Sequence, residues 1–182
     1  KVQNYTSEYV KPFPKDVHNF FGQRIITVKA GEGSGKSTQA SALVEIHKAA
    51  GHRILVMSTR RSLSYSQRKL YTGFKHYSED QAEDADCVIW QYESLHRLEG
   101  VPAFDLVILD ETRSLLTNVT SLETNGNKIK THYDILRSFI KASKLTVCLD
   151  ADMEVDSTVY DFLLTIVKKT NILALRYLKP KI

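Results

Sequence analysis

The chain has 182 residues, of which 42% are hydrophobic and 25% are charged. This length and composition predict one globular domain and exclude both a disordered segment and two full domains. No apolar run approaches bilayer length and the amino-terminal segment lacks a signal-peptide pattern, so we expect no membrane partner. The formal net charge of +4 permits contact with nucleic acid without requiring it.

The amino-terminal segment, residues 1–23, has little apolar patterning and contains two prolines. We expect it to be an irregular lead-in, with Tyr5, Tyr9 and Phe13 as candidates to stack on an adenine. Because the first residue is Lys1 rather than Met, we also expect residues 1–182 to be a fragment that forms a single domain.

Short runs of Val, Ile and Leu recur along the chain, and each predicts a strand covered on both faces. A helix-forming stretch, residues 37–50, separates the first two runs and ends at Gly51. The segments 77–85 and 117–130 are polar and predict exposed connections. Strands that alternate with helices indicate an α/β fold with a parallel sheet. The predicted strands span residues 24–30, 53–59, 86–92, 105–110, 144–150 and 171–177.

The two cysteines, Cys87 and Cys148, both lie within predicted core strands. Isolated buried thiols indicate an intracellular, reducing compartment and no disulfide framework. No pair of Cys or His residues has the spacing of metal ligands, so we expect no structural zinc site.

Residues 30–38 read Ala-Gly-Glu-Gly-Ser-Gly-Lys-Ser-Thr between a predicted strand and a predicted helix, which is the context of a Walker A P-loop. The glycines let consecutive backbone N–H groups turn toward phosphate oxygens, and the helix beginning near Gly35 adds its positive dipole end. Lys36 is expected to reach the β- and γ-phosphates of ATP, and Ser37 to ligate Mg²⁺. The predicted nucleotide-binding residues are Ala30, Gly31, Glu32, Gly33, Ser34, Gly35, Lys36, Ser37 and Thr38.

The fourth predicted strand ends in Asp110 and Glu111, at the sheet edge where ligands bind in such folds. We expect this strand to neighbour the P-loop strand. Asp110 is predicted to hold Mg²⁺ through water, and Glu111 to activate the attacking water as general base. Together with Lys36, they form the predicted catalytic set. A paired Asp-Glu favours hydrolysis, because a small-molecule kinase has a hydroxyl acceptor and needs no water-activating glutamate.

Three further polar segments follow predicted strands. Thr59, Arg60 and Arg61 suit contacts to a nucleic-acid backbone, although a solvated basic turn fits them equally well. Ser94 and Arg97 are candidate phosphate contacts after the third strand.

The fifth predicted strand ends in Leu149-Asp150-Ala151-Asp152. Asp150 and Asp152 suit a link between the ATP site and the nucleic-acid-binding face, and a plain Asx turn is the alternative.

Together these motifs resemble superfamily 2 DNA helicases, and in detail the herpesvirus-type replication origin-binding proteins. The specific parts are Glu93-Ser94-Leu95-His96-Arg97 and the Asp-Ala-Asp stretch, within a resemblance that spans residues 25–152. Thr112-Arg113 departs from the residues that better-known helicases place after the acid pair. The resemblance implies a P-loop NTPase fold of the RecA-like type, with helices on both faces of the sheet.

The resemblance also implies an ATP-dependent helicase that acts in DNA replication, with single-stranded DNA as partner and the nucleus as compartment. It implies a second RecA-like domain that supplies an arginine finger, which nothing after Asp152 resembles. We therefore expect this chain alone to bind nucleotide with little turnover. The alternatives are a P-loop kinase of a nucleoside or small metabolite, whose arginine-rich lid is not found in residues 117–130, and a non-hydrolysing module.

Overall fold

The computed structural model describes residues 1–14, 17, 24–59, 61–119, 121, 126–154 and 157–180. Strands from this part of the chain form one sheet in which every pairing is parallel. The strands are β1 (Val2–Thr6), β2 (Ile25–Lys29), β3 (Ile54–Ser58), β4 (Lys75–His76), β5 (Cys87–Gln91), β6 (Leu106–Leu109), β7 (Leu145–Asp150) and β8 (Ile172–Leu178). Their spatial order is β1-β8-β2-β7-β6-β3-β5-β4.

Helices cover both faces of this sheet, as the fold-class prediction required, and two separate apolar clusters lie beneath them. The α-helices with described bounds are α1 (Lys36–Ala49), α2 (Arg61–Leu70), α3 (Thr112–Val119), α4 (Ile129–Ala142) and α5 (Thr158–Leu164). Short 3-10 segments lie at Ala82–Asp84, Tyr92–Leu98, Gly126–Lys128 and Lys169–Asn171. One cluster joins α1 to the sheet, and the other joins α3, α4, α5 and Tyr92–Leu98 to the opposite face.

The central strands are predominantly apolar because both of their faces are covered. Ile54, Leu55, Val56 and Met57 of β3 are all fully buried. Full burial of such a side chain contributes about 1.5–3 kcal/mol. This burial fixes the strands rigidly, so the residues that follow their carboxyl ends have defined positions.

The five central predicted strands and the predicted last strand are all present, with bounds that differ by at most one residue. Helix α1 ends just before Gly51, which has the expected positive φ of 72°. Among the described residues, no helix is long and apolar enough to cross a membrane.

The sheet edges depart from the sequence-based expectation. Val2–Thr6 lies in the segment expected to be irregular, yet it forms β1 by pairing with β8. The two-residue strand β4 pairs with β5 at the other edge. Edge strands have one partner strand and less burial, so neither carries the apolar run that marks a central strand.

The segment 117–130, expected to be an exposed connection, is partly helical instead. Helix α3 extends to Val119, which is fully buried, and α4 begins at Ile129. The segment is polar in composition, so its sequence did not indicate that α3 has an apolar face. That face, with Leu115, Leu116 and Val119, is buried in the structure.

Candidate nucleotide-binding site

The P-loop connects β2 to α1 at the carboxyl edge of the sheet. Gly33 and Gly35 have φ values of 69° and 81°, a region that L side chains rarely adopt. The Ser34 N–H donates a hydrogen bond to the Gly31 carbonyl at 3.3 Å, which closes the turn. The N-cap residue of α1 is Gly35, which gives no side-chain cap, so the first N–H groups of the helix can bind an anion.

Lys36 lies folded over the loop that precedes it. Its Nζ donates to the carbonyls of Ala30 at 2.5 Å and Gly31 at 2.8 Å. Burial lowers the pKa of Lys36, while Asp110 and Asp150 oppose that shift. The ammonium group is thus held within the loop, where nucleotide phosphates would compete for its donors.

Ser34 is a buried polar residue whose hydroxyl has no hydrogen-bond partner in the part of the chain that the structure describes. Such an unpaired buried oxygen is costly and fits a loop built to receive a polar ligand. The Ser34 carbonyl accepts a hydrogen bond from the Val10 N–H at 2.9 Å, so the lead-in segment is tied to the P-loop. Ser37 is half-buried in the first turn of α1, and Glu32 and Thr38 are exposed.

The candidate adenine contacts differ in their surroundings. Tyr5 stacks on Tyr177 with ring centroids 4.9 Å apart, and Lys11 lies over its ring. Tyr9 is exposed and Phe13 is partly buried against the α1 side of the sheet. Tyr5 is therefore part of the packing between β1 and β8, whereas the ring of Tyr9 is open to solvent.

Asp110 lies at the carboxyl end of β6 and is almost fully buried. Its Oδ2 accepts a hydrogen bond from Gln67 Nε2, and its Oδ1 accepts one from the Glu111 N–H, both at 3.1 Å. Burial raises the pKa of Asp110, and the two hydrogen bonds and Lys36 oppose the rise. A carboxylate has about four lone-pair sites, so two remain for the water shell of a cation.

The expectation that this strand neighbours the P-loop strand is wrong, because β7 lies between β2 and β6. Adjacent strands are about 4.8 Å apart, which puts the two strand axes roughly 10 Å from each other. That gap leaves room for a phosphate and a hydrated cation between the loop and the acid.

Glu111 has a φ of 49°, which is uncommon for a residue other than glycine. Such a conformation costs on the order of 1–3 kcal/mol and tends to be kept at functional sites. The Glu111 Oε2 accepts a hydrogen bond from the Thr59 hydroxyl at 3.1 Å. The carboxylate is therefore aimed by its own backbone and by the residue that follows β3.

Asp150 ties the end of β7 to the start of α3. Its Oδ2 accepts a hydrogen bond from the Arg113 N–H at 2.8 Å, and its Oδ1 accepts one from the Asp152 N–H at 2.9 Å. Asp152 in turn pairs with the Arg113 guanidinium at 2.7 Å. The arrangement contains the Asx turn that was the alternative for this stretch, and it also joins Asp150 to the segment that carries Asp110 and Glu111.

The candidate nucleic-acid contacts are not all free to meet a ligand. Thr59 is buried, and its hydroxyl is used by Glu111. Arg60 and the side chain of Arg61 lie outside the described residues. The Ser94 carbonyl accepts a hydrogen bond from the Trp90 indole at 2.9 Å.

Arg97 is exposed and makes several contacts within its own domain. Its guanidinium contacts Glu83 at 2.5 Å and donates to the Tyr77 carbonyl at 2.8 Å. It also lies 5.0 Å from the centroid of the Trp90 ring. These contacts stabilise the Tyr92–Leu98 segment and give Arg97 a structural role that its residue type did not reveal.

Sequence reasoning missed Gln67, which binds Asp110 from α2, and Tyr71, a buried hydroxyl one turn further on. Burial raises the pKa of Tyr71, and the nearby Asp110 adds to that rise. Ser64, Gln67 and Tyr71 are spaced to share one helix face, so a polar stripe was present in the sequence. Which way that face points is decided by packing against β3 and β5.

The chain is similar to known proteins in both sequence and structure. The sequence profile of the family described as "Origin of replication binding protein" matches residues 7–177. The replication origin-binding proteins of Varicella-zoster virus strain Dumas and strain Oka vaccine are each 32% identical in an alignment of 106 residues that covers 53% of this chain. That aligned region spans 13% of the length of those relatives.

Solved structures share the fold at low sequence identity. A hypothetical ATP-dependent RNA helicase from Sulfolobus tokodaii matches 85% of this chain and 49% of its own, at 18% identity and a TM-score of 0.58. The Hef helicase domain of Pyrococcus furiosus matches 91% of this chain and 38% of its own, at 12% identity and a TM-score of 0.57. The SWI2/SNF2 ATPase core of Sulfolobus solfataricus, solved with dsDNA, matches 90% and 38%, at 14% identity and a TM-score of 0.57.

Proposed function

This chain belongs to the family of origin of replication binding proteins, and on that premise we propose that it is the ATP-binding motor domain of a DNA helicase that acts in replication. The observation that carries the proposal is the convergence of three separate segments on one sheet edge. The P-loop, the Asp110-Glu111 pair and Asp150 lie at the carboxyl ends of the three neighbouring strands β2, β6 and β7. The Ala30 N–H donates to the Asp150 carbonyl at 3.2 Å, and the Asp150 carboxylate accepts from the Arg113 N–H at 2.8 Å, so hydrogen bonds link the three segments. Nothing in this arrangement favours the kinase alternative.

Each residue of the site has a role in ATP hydrolysis. The P-loop N–H groups and Lys36 bind the phosphates, and Glu111 orients a water molecule and accepts its proton. Ser37 and Asp110 offer the oxygen ligands that Mg²⁺ prefers, and bound Mg²⁺ would neutralise charge on the phosphates. Asp150 holds the first turn of α3, so that Asp110 and Glu111 keep their positions.

The proposed motor needs a second RecA-like domain that completes the ATP site with an arginine finger. Loss of such an arginine costs on the order of a thousandfold or more in turnover. We therefore expect the 182-residue chain to bind Mg-ATP with little hydrolysis and no unwinding. Single-stranded DNA is the proposed track, with Arg60 and Arg61 as its proposed contacts after β3, and the nucleus is the proposed compartment.

The test is ATP turnover with and without single-stranded DNA, in protein that includes the second RecA-like domain. Glu111→Gln should abolish a DNA-stimulated rate, because the amide cannot accept the proton of water. Glu99→Gln is the matched control, since Glu99 is exposed and lies after the Tyr92–Leu98 segment. Turnover that ignores every nucleic acid and responds to a small phosphate acceptor would overturn the helicase proposal.

A further inference from the structure

The chain that follows β8 runs beside the P-loop. β8 and β2 are parallel neighbours, and their register pairs Arg176 with Lys29 at the carboxyl edge of the sheet. Beyond this pair, β2 leads into the P-loop, and β8 ends at Leu178 and is followed by Lys179. Lys179 is therefore carried to the sheet edge where the loop receives phosphate.

Lys179 lies against the P-loop residue Gly31. A methyl group built on Gly31 would lie 3.8 Å from Lys179 Cε, and the ammonium nitrogen is one bond further along the side chain. The Gly31 carbonyl also accepts a hydrogen bond from Lys36 Nζ at 2.8 Å. Two lysines thus approach the same glycine, Lys36 from the start of α1 and Lys179 from the neighbouring strand.

The charge of Lys179 is not taken up by an acidic side chain. Lys29 and Arg176, at the ends of the same two strands, both pair with Glu154. Lys179 is exposed, and it has no ion pair within the part of the chain that the structure describes. Its ammonium group can therefore bind an anion without first leaving an acid of that part.

The backbone that carries Lys179 is held in place by the first strand. The Leu178 carbonyl accepts a hydrogen bond from the Ser7 N–H at 3.0 Å. Tyr177 is buried and stacks on Tyr5, with ring centroids 4.9 Å apart. Only the side chain of Lys179 has to reorient for its ammonium group to reach a ligand in the loop.

The position of Lys36 indicates which phosphates lie near Gly31. In a P-loop this lysine contacts the β- and γ-phosphates, and here its Nζ lies at the carbonyls of Ala30 and Gly31. The terminal phosphates therefore lie on the side of the loop that Lys179 approaches. An ammonium group has three donors, and these carbonyls occupy two of those of Lys36, so a second cation adds donors that the terminal phosphate can use.

We propose that Lys179 binds the terminal phosphate of a nucleoside triphosphate and makes the site prefer the triphosphate over the diphosphate. The inference rests on the proposed function and deepens it by assigning a phosphate contact outside the P-loop and the acid pair. Lys179 belongs to the same domain as the P-loop, so this contact is separate from the arginine finger expected of a second domain.

The test compares the affinities for two fluorescent nucleotides with Mg²⁺, a non-hydrolysable ATP analogue and ADP. The 182-residue chain is used, so that no arginine of a second domain contacts the terminal phosphate. Lys179→Met should weaken binding of the ATP analogue about fivefold or more, because one charge-assisted contact at a solvated site is lost. The affinity for ADP should not change, and Lys179→Arg should retain most of the preference. An equal effect on the two nucleotides, or no effect on either, would overturn the proposal.

Lys169→Met is the matched control for the loss of one positive charge. Lys169 is also exposed, and it lies just before β8, at the opposite end of that strand from Lys179. The control should bind both nucleotides as the wild-type protein does. If it loses as much preference for the triphosphate as Lys179→Met, the effect comes from net charge and the assignment of Lys179 is wrong.

Labelling of the wild-type protein tests the same contact without a variant. Lysines are acetylated with a limiting amount of acetic anhydride, and the labelled fraction of each lysine is measured by mass spectrometry. The ATP analogue should protect Lys179 and ADP should not, while Lys169 should be labelled equally with either nucleotide and without one. Equal labelling of Lys179 in the presence of the two nucleotides would contradict the contact. A wild-type protein that binds neither nucleotide would instead reject the proposed function.

Discussion

Replacement of Asp150 by Asn tests how much the junction between β7 and α3 contributes to stability. The carboxylate is 9% exposed and accepts two backbone hydrogen bonds, from Arg113 at 2.8 Å and from Asp152 at 2.9 Å. Hydrogen bonds to charged groups contribute about 1.5–3 kcal/mol each. Asparagine keeps one acceptor oxygen and turns an NH₂ group toward the other N–H donor, so roughly one bond is lost.

We therefore expect Asp150→Asn to lower the free energy of unfolding by about 2–3 kcal/mol, measured by urea denaturation followed by circular dichroism. In a domain of this size that corresponds to a melting temperature about 4–12 °C lower. Asp152→Asn is the matched control, because its ion pair with Arg113 is mostly exposed and should contribute less than about 1 kcal/mol. A loss below about 0.5 kcal/mol for Asp150→Asn would refute the reasoning, since surface substitutions fall in that range.

Three further predictions concern nucleotide binding, thiol chemistry and pH. Lys36→Met removes a charge-assisted contact to phosphate and should weaken binding of a fluorescent ATP analogue at least about tenfold, as measured by fluorescence titration. Lys169 is exposed, so Lys169→Met should leave that affinity unchanged. Burial raises the pKa of Cys148 to about 12, so its thiol should stay unmodified by iodoacetamide at pH 8 in the folded protein. The thiol should react once the protein is unfolded in urea. Equal reaction rates in the folded and unfolded protein would contradict this prediction. His96 contacts His132 at 3.2 Å. Burial, and then the charge of Lys128, lower the pKa of His96, and burial also lowers the pKa of His132. Both imidazoles are therefore harder to protonate in the folded protein than in the unfolded chain. Stability should be complete above about pH 6.5 and fall as the pH drops below it, and His96→Gln should reduce that loss in urea midpoints measured from pH 7 to 5.

The phosphate-binding half of the site could be predicted from the sequence because it is local. Residues 30–38 are contiguous, and the backbone geometry that makes a phosphate nest is encoded in their glycines, which have positive φ at Gly33 and Gly35. The strand ends that carry Asp110 and Asp150 were predictable for a similar reason. A buried parallel strand is a predominantly apolar run, so the first charged residue at its end marks the sheet edge.

The tertiary structure alone decided the partners of those residues. The order of the strands puts β7 between the P-loop strand and the strand of Asp110, and it brings Thr59 to Glu111 across 52 positions of sequence. Arg97 is of the residue type that contacts phosphate, yet in the folded domain its guanidinium contacts Glu83. The physical reason is that a hydrogen bond between distant segments depends on strand order and on which helix face is buried. Sequence periodicity determines that a face is buried, whereas the three-dimensional packing determines what that face meets.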